Sequence, residues 1–267
     1  MKQFLWTLAA CAVLHGAVAP APALALAASA CSKKSPAHSV ALLELYTSEG
    51  CDSCPPADRF VSALRLAPER AVVLSLHVDY WNYIGWQDPY SKPVFGERQR
   101  WLSDLAGSRT IYTPEMFVAG QEMRGGVDGW SAGLPAAVQG INERPARADI
   151  GIALGMPGPA GLPVEVSASA MQDGKLYVAL VESGLSSAVR AGENRGRVLA
   201  HDVVVREWLA PLALSADGKG GKRGATLSRV LPLPPGARTG KLGVSAFVQS
   251  DRGEVLQALA LPVCGAE

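Results

Sequence analysis

The sequence predicts two parts, a mixed α/β domain over residues 38–143 and a small all-β domain over residues 149–265. In the first part, apolar runs of strand length alternate with helical stretches in the order strand, helix, strand, helix, strand, strand, helix. In the second part, short β-compatible runs are separated by turns rich in Gly and Pro. These patterns predict a mixed four-stranded sheet with helices on both faces, followed by an antiparallel sandwich packed beside it.

Each predicted element of the α/β part has its own local signal. The apolar runs Val40–Thr47 and Ala71–Val78 are of strand length. Pro55 and Pro56 open a helix that runs to about Leu66, because proline is tolerated in the first helical turn. The remaining elements are a helix from Pro93 to about Ala106, strands at Glu115–Ala119 and near Met123–Val127, and a helix from about Asp128 to Asn142.

The all-β part follows a plausible linker at residues 143–147. Its predicted strands are Pro163–Ala170, Lys175–Glu182, Arg197–Arg206, Thr226–Leu233, Lys241–Gln249 and Val255–Val263. Asp173-Gly174 is a good two-residue hairpin turn between the first two of these strands.

Residues 1–30 are typical of a secretory signal peptide. Lys2 supplies a positive start, Phe4–Val18 is almost wholly apolar, and the small residues Ala28-Ser29-Ala30 precede Cys31. The apolar run is too short and interrupted to predict a membrane span. The sequence therefore predicts a periplasmic or secreted protein, with lipidation of Cys31 as the alternative to simple cleavage.

Composition and charge exclude several classes of partner. The chain carries a formal net charge of +1, with 48% hydrophobic and 18% charged residues, as in an ordinary globular protein. This balance gives no electrostatic reason to propose binding to nucleic acid or to an anionic membrane.

The cysteines fall into two pairs once the signal peptide, with Cys11, is removed. Four thiols in an oxidising compartment favour two disulfides. Cys51 and Cys54 are close enough in sequence to pair, and a structural disulfide between Cys31 and Cys264 is the corresponding hypothesis.

The motif Cys51-Asp52-Ser53-Cys54 lies between a predicted buried strand and a predicted helix. Unpaired N–H groups and the dipole at a helix N-terminus stabilise a thiolate, so Cys51 is the expected nucleophile and Cys54 the resolving thiol. A static structural disulfide is the alternative. Zinc is disfavoured because the chain has no second Cys-x-x-Cys or His pair.

Thr113-Pro114 stands at the start of a predicted strand, about sixty residues after the cysteines. Together with the strand, the Cys-x-x-Cys-Pro helix and the following elements, it resembles the thioredoxin superfamily. That resemblance implies a cis Pro114 lying against the cysteine pair and presenting backbone to a substrate.

A closer resemblance is to DUF1223, a family of secreted thioredoxin-like proteins. It rests on residues 44–51 (ELYTSEGC), Ser53–Asp58, His77–Trp81, Gly85–Pro89, Arg98-Gln99 and Tyr112–Pro114, with Asn194–Arg206 in the second half. The family implies this architecture and no particular substrate.

His77 and Asp79 end the second predicted strand, which should finish near the cysteines. One of them is a candidate proton acceptor for Cys54, or His77 is a third copper ligand beside both thiolates. The alternative is a satisfied core histidine with Asp79 capping the loop. The aromatic loop at residues 80–90 is expected to pack under itself, or else to line a groove for peptides.

These observations predict an exported thiol–disulfide oxidoreductase that uses Cys51, Cys54 and Pro114 on a protein or small-molecule thiol or disulfide, without an organic cofactor. The alternatives are a copper carrier using Cys51, Cys54 and His77, and a non-catalytic thioredoxin-like binding module.

Overall fold

The computed structural model describes residues 30–216 and 221–265, and within these ranges it has three α-helices and sixteen strands. The helices are α1 (Cys54–Ala63), α2 (Pro93–Leu105) and α3 (Gly126–Asn142). The strands are β1 (Cys31–Lys34), β2 (Ala41–Thr47), β3 (Ala71–His77), β4 (Glu115–Val118), β5 (Gln121–Glu122), β6 (Ala148–Leu154), β7 (Leu162–Ala170), β8 (Lys175–Glu182), β9 (Leu185–Ala188), β10 (Val198–His201), β11 (Val204–Trp208), β12 (Leu212–Ala213), β13 (Ser215–Ala216), β14 (Arg223–Leu231), β15 (Leu242–Gln249) and β16 (Val255–Pro262). Except for Ala30, the predicted signal peptide lies outside the described residues.

A nine-stranded mixed sheet forms the centre of the molecule, in the order β16-β15-β8-β11-β3-β2-β4-β5 with β12 attached to β8. β2 and β3 pair in parallel, so Thr47 lies opposite His77 where both strands end. β4 pairs antiparallel with β2, and β11 pairs in parallel with β3. The predicted sheet of four strands is therefore too small. β11 pairs with the edge of β3 that would otherwise present unpaired backbone groups. The sheet therefore contains strands from both sides of the predicted linker.

Helices cover both faces of the part of this sheet formed by β2, β3 and β4, as predicted. On one face, Leu43 and Leu45 pack with residues of α1 and α3. On the other face, Leu42 and Tyr46 pack with residues of α2 and of the second half. Successive strand residues point to opposite faces, so every residue of β2 is buried.

The second half contributes a facing sheet of five strands in the order β1-β6-β7-β14-β13. Its inner residues, such as Ile152 and Val166, share one apolar core with Leu180, Val244 and others of the large sheet. β1, which the sequence did not predict, pairs with β6. β9 and β10 form a two-stranded sheet that is not hydrogen-bonded into either larger sheet.

Two predicted boundaries in the first half are wrong. The strand expected near Met123–Val127 is instead β5, because the left-handed residues Ala119 and Gly120 turn the chain back immediately. The first helix ends at Ala63 because Leu64 is already extended. No helix in the described ranges is long and apolar enough to span a bilayer.

Candidate active site around the Cys51–Cys54 disulfide

Cys51 and Cys54 form a disulfide where β2 leads into α1, with their Cα atoms 5.4 Å apart. A tight turn brings them together: Cys51 N donates to Ser48 O at 3.2 Å, and Cys54 N donates to Cys51 O at 3.3 Å. Cys54 is the first residue of α1, with Pro55 and Pro56 in the first turn. Pro55 and Pro56 carry no N–H, so it is the positive end of the dipole of α1 that can stabilise negative charge on a sulfur when the bond opens.

The two sulfurs are enclosed although the turn between them is not. Cys51 and Cys54 are both 0% exposed, whereas Asp52 and Ser53 are exposed. Gly50 brings the turn against the aromatic loop, since a β-carbon added there would lie 2.9 Å from Cβ of Trp81. A side chain at residue 50 would therefore force these two segments apart.

The peptide bond between Thr113 and Pro114 is cis and lies beside the disulfide. The carbonyl oxygen of Thr113 is 3.7 Å from Sγ of Cys51. The indole N–H of Trp81 donates to Oγ1 of Thr113 at 2.8 Å, which ties this segment to the aromatic loop. The backbone just before the strand that begins at Glu115 thus adjoins the sulfur expected to react.

Residues of the second half complete the enclosure. We call residues 189–197, which connect β9 to β10, the cap loop. The side-chain amide of Asn194, 0% exposed, donates to Glu49 O at 2.9 Å and to Cys51 O at 2.8 Å. Oε2 of Glu193 accepts from the backbone N–H of Asp52 at 3.1 Å. The cap loop is therefore hydrogen-bonded to the backbone on both sides of Gly50.

A buried cluster of two histidines and three carboxyl groups lies next to this turn, formed by Glu49, Asp58, His77, Asp88 and His201. We call it the acid–histidine cluster. The two imidazole rings meet edge to face, with centroids 4.9 Å apart. Glu49 comes two residues before Cys51, and Asp58 comes four residues after Cys54 on α1.

His77 and Asp88 form the first pair of the acid–histidine cluster. Nδ1 of His77 is 2.8 Å from Oδ2 of Asp88, and Oδ2 also accepts from Glu49 N at 2.8 Å. Burial opposes the imidazolium form of His77, but the charge and hydrogen bond of Asp88, together with the charges of Asp58 and Glu49, outweigh burial and raise the pKa of His77. Burial likewise opposes ionisation of Asp88, and His77 and two backbone N–H groups hold the pKa of Asp88 below its usual value.

His201 joins the other two carboxyl groups. Its Nε2 is 3.0 Å from Oε1 of Glu49, and its Nδ1 is 3.7 Å from Oδ2 of Asp58. Burial raises the pKa of Asp58, an effect that the nearby His77 and His201 and the hydroxyl of Thr47 only partly offset. A carboxyl group with a raised pKa can hold a proton at a pH where an exposed one has lost it.

Two ring nitrogens of the acid–histidine cluster, Nε2 of His77 and Nδ1 of His201, are buried and have no hydrogen-bond partner among the described residues. Buried polar groups are nearly always paired. Both nitrogens share this buried cluster with the carboxyl group of Asp58, whose pKa is raised by burial.

Another buried carboxyl group, that of Glu115, directly follows Pro114. The amide of Gln99 donates to its Oε2 at 2.6 Å and also to the carbonyl oxygen of Tyr112 at 2.7 Å. Oε1 of Glu115 has no partner in the described part of the chain. Burial raises the pKa of Glu115 to about 7.

Comparison with known proteins places this chain in a family. A family model described as "Protein of unknown function (DUF1223)" matches residues 42–249, which contain the disulfide, the acid–histidine cluster and the cap loop. The chain belongs to the DUF1223 family. A search of curated proteins found no match to this DUF1223 chain.

Two solved structures resemble this DUF1223 chain in fold. HBP35 of Porphyromonas gingivalis superposes with a TM-score of 0.62 at 17% identity, over 87% of this chain and 78% of that chain. Protein AGR_C_4864 from Agrobacterium tumefaciens superposes with a TM-score of 0.54 at 23% identity, over 86% of this chain and 97% of that chain.

The structure of the DUF1223 chain separates the predicted site residues into those near the disulfide and those away from it. Pro114 and His77 lie at the site described above. Asp79 does not join the acid–histidine cluster, and its Oδ1 lies beside Gly96 of α2. Cys31 and Cys264 form a second disulfide, which joins β1 to the end of the chain after β16.

The ligand set considered for copper is not assembled in the DUF1223 chain. Cys51 and Cys54 are bonded to each other, and Nδ1 of His77 is engaged by Asp88. Across residues 30–216 and 221–265, no three His, Cys, Asp or Glu side chains are arranged as metal ligands. Copper binding by this set stays a prediction.

Several site residues of the DUF1223 chain were missed by reasoning from the sequence. Asp88 lies in the aromatic loop, and Asn194 and His201 lie in the second half, far from the cysteines along the chain. The carboxyl group of Asp58, at the end of the quoted motif Ser53–Asp58, is buried and accepts a hydrogen bond from Oγ1 of Thr47 at 2.8 Å. The available signal was that Asp88, Asn194 and His201 lie within the motifs that carry the resemblance to DUF1223.

The aromatic loop of the DUF1223 chain, residues 80–90, is largely packed against the site. The indole N–H of Trp86 donates to Oε2 of Glu49 at 2.8 Å, and the hydroxyl of Tyr80 donates to Oε1 of Gln99 at 3.1 Å. Tyr83 is the exception, with 82% of its surface exposed. Trp86 and Tyr80 are therefore hydrogen-bonded to residues outside the loop, and Tyr83 is the one aromatic ring of residues 80–90 that is exposed.

Proposed function

We propose that this protein is an exported thiol–disulfide oxidoreductase with a thioredoxin-like domain. The observation that carries the proposal is the Cys51–Cys54 disulfide at the first turn of α1, with the cis Thr113–Pro114 peptide beside Sγ of Cys51. The strand order β3-β2-β4-β5, with helices on both faces, supports the thioredoxin-like assignment.

Export is supported by two features. Residues 1–30 have the pattern of a secretory signal peptide. Cys31, the residue after that pattern, is bonded to Cys264, and such structural disulfides persist in oxidising compartments. A disulfide at Cys31 is incompatible with its lipidation, which favours simple cleavage.

In the proposed reaction, a substrate thiolate attacks Sγ of Cys51. A substrate–Cys51 disulfide forms, the Cys51–Cys54 bond breaks, and the electron pair leaves on Sγ of Cys54. A second substrate thiolate then attacks the substrate sulfur of the mixed disulfide and releases Cys51 as a thiolate. The substrate leaves as a disulfide, and the two cysteine sulfurs are left reduced. The reverse sequence reduces a substrate disulfide.

The proton for Cys54 comes from the acid–histidine cluster in this proposal. Asp58 is four residues after Cys54 on α1, so the two buried side chains lie on the same face of the helix. Its raised pKa suits it to hold a proton that the Cys54 thiolate can accept. His77, fixed by Asp88, orients the cluster. Asp79 lies against α2, which favours Asp58 over it as the group that exchanges a proton with Cys54.

A non-catalytic binding module is the second candidate, because both sulfurs are 0% exposed. One measurement separates the two. The folded protein is equilibrated in glutathione redox buffers, its thiols are alkylated, and peptide mapping follows Cys51 and Cys54 apart from Cys31 and Cys264. An oxidoreductase gives a reversible transition between about −270 and −120 mV.

Trapping variants then assign the roles of the two sulfurs. A Cys54→Ser variant should accumulate a mixed disulfide at Cys51 with a model peptide that carries a disulfide, because the Cys51 thiolate breaks that bond and no Cys54 thiol is present to resolve the product, whereas Cys51→Ser should accumulate none. If the pair in the folded protein stays oxidised in every buffer, and the pair in the unfolded protein is reduced, the binding module is the correct assignment.

A further inference from the structure

The enclosure of the disulfide is incompatible with direct exchange. A thiolate must approach Sγ of Cys51 roughly along the S–S axis, yet no part of Cys51 or Cys54 is exposed. The exposed Asp52 and Ser53 show that the turn itself reaches the surface. Something must therefore move before any thiol can react.

The cap loop is the part of the enclosure that the second half of the chain contributes, at the tip of a hairpin whose strands are anchored through Ser187 to Tyr90 and through His201 to Glu49. It belongs to a two-stranded sheet, β9 with β10, that makes no backbone ladder with the two larger sheets. Left-handed residues flank this hairpin, namely Gly184 before β9, with φ 70°, and Val203 after β10, with φ 50°. The other covers, Trp81 and Thr113, are held by the aromatic loop and by the start of β4.

Asn194 is the main tie between the cap loop and the cysteine turn. Its amide donates to the carbonyls of both Glu49 and Cys51, and its Oδ1 accepts from Nη1 of Arg197 at 2.9 Å. The same amide therefore closes the cap loop over the turn, while Arg197 holds the amide in the required orientation. Glu193 adds one exposed contact to Asp52 N.

We propose that the cap loop, at the tip of the β9–β10 hairpin, moves and so decides which thiols reach Cys51, and that Asn194 is the specificity-determining residue that holds it closed. This inference rests on the proposed function. It also assigns a role to the second half of the chain, namely to restrict exchange to molecules that meet the site while the cap is open.

The test measures how fast dithiothreitol reduces Cys51–Cys54 in the folded, oxidised protein. One dithiothreitol thiolate bonds to Cys51 and expels Cys54, the other displaces Cys51, and dithiothreitol leaves as its cyclic disulfide. Samples are quenched with N-ethylmaleimide at successive times, and peptide mapping separates this pair from Cys31 and Cys264.

Asn194→Ala removes both hydrogen bonds to the turn, so the open fraction and the second-order rate constant should rise about 10- to 100-fold. Arg197→Ala leaves the amide in place but unsupported, and should raise the rate about threefold. Arg195→Ala is the matched control, because Arg195 lies in the same loop and its exposed side chain makes none of the hydrogen bonds that join the loop to the turn. It should react within twofold of the wild type.

Two results would overturn the proposal, and they can be told apart. If Asn194→Ala and Arg195→Ala are reduced at the wild-type rate, the cap is irrelevant although the oxidoreductase assignment survives. If no folded variant is reduced while all react in guanidinium, the proposed function fails and the cap with it. Circular dichroism establishes whether each variant folds. If Asn194→Ala does not fold, the rates of reduction of Arg197→Ala and Arg195→Ala are compared instead, and equal rates overturn the proposed role of the cap.

Discussion

Replacing Asp88 by Asn should destabilise the protein in a pH-dependent way. Oδ2 of Asp88 accepts from Glu49 N and pairs with Nδ1 of His77, and Oδ1 accepts from Tyr90 N at 2.9 Å. An asparagine offers one oxygen and one N–H₂ group in the same space. Whichever way the amide is turned, at least one buried backbone N–H loses its acceptor.

The expected magnitude has a constant part and a part that depends on pH. An unpaired buried N–H costs about 1–3 kcal/mol, and loss of the buried ion pair brings the total to about 3–5 kcal/mol. The lowered pKa of Asp88 means that its contribution is present above the unfolded value of about 3.9. The raised pKa of His77 means that its contribution is complete below about 6.5 and is lost as pH rises through the higher folded value.

Guanidinium unfolding of the oxidised protein at pH 5.5 and pH 9 tests this reasoning, with circular dichroism as the probe. The Asp88→Asn variant should lose about 3–5 kcal/mol at pH 5.5 and about 1–3 kcal/mol at pH 9. Asp79→Asn, in the same loop but outside the acid–histidine cluster, should change stability by about 0.5 kcal/mol or less at either pH. Equal losses for Asp88→Asn at both values would refute a charged His77–Asp88 pair.

Three further predictions concern stability. The buried guanidinium of Arg98 is bound to the carboxylate of Glu44 at 2.5 Å and 3.0 Å. Glu44→Gln removes that carboxylate and should lower the free energy of chemical unfolding by about 3–5 kcal/mol. The double variant Glu44→Leu/Arg98→Met should lower it much less. Glu115 holds its proton to about pH 7 in the folded state and loses it near pH 4.5 when unfolded, so its burial lowers stability as pH rises through that window. Glu115→Gln should flatten the fall in unfolding free energy between pH 5 and 8, by at most about 3 kcal/mol, and an unchanged slope would count against the raised pKa. Cys264→Ala opens a disulfide that spans 233 residues and should lower the unfolding free energy by about 2–5 kcal/mol, and an unchanged melting temperature would show that Cys31 and Cys264 are not bonded in solution.

The sequence by itself determined the elements whose signals are local. The apolar runs that become β2 and β3, and the prolines that open α1, were readable because strand and helix patterns depend on neighbouring residues. The same local signals place Cys51 and Cys54 between β2 and α1. The quoted motifs were also sufficient for membership of DUF1223.

Only the tertiary structure decided what surrounds the disulfide. His201 is 152 residues from its partner Glu49, and Asn194 is 143 residues from Cys51. No local pattern encodes such pairs, because they depend on β11 pairing with the free edge of β3 and so carrying the preceding hairpin to the site. For the same reason, the burial of Asp58 and the closure over the sulfurs follow from packing between the two halves of the chain, which is a property of the whole fold.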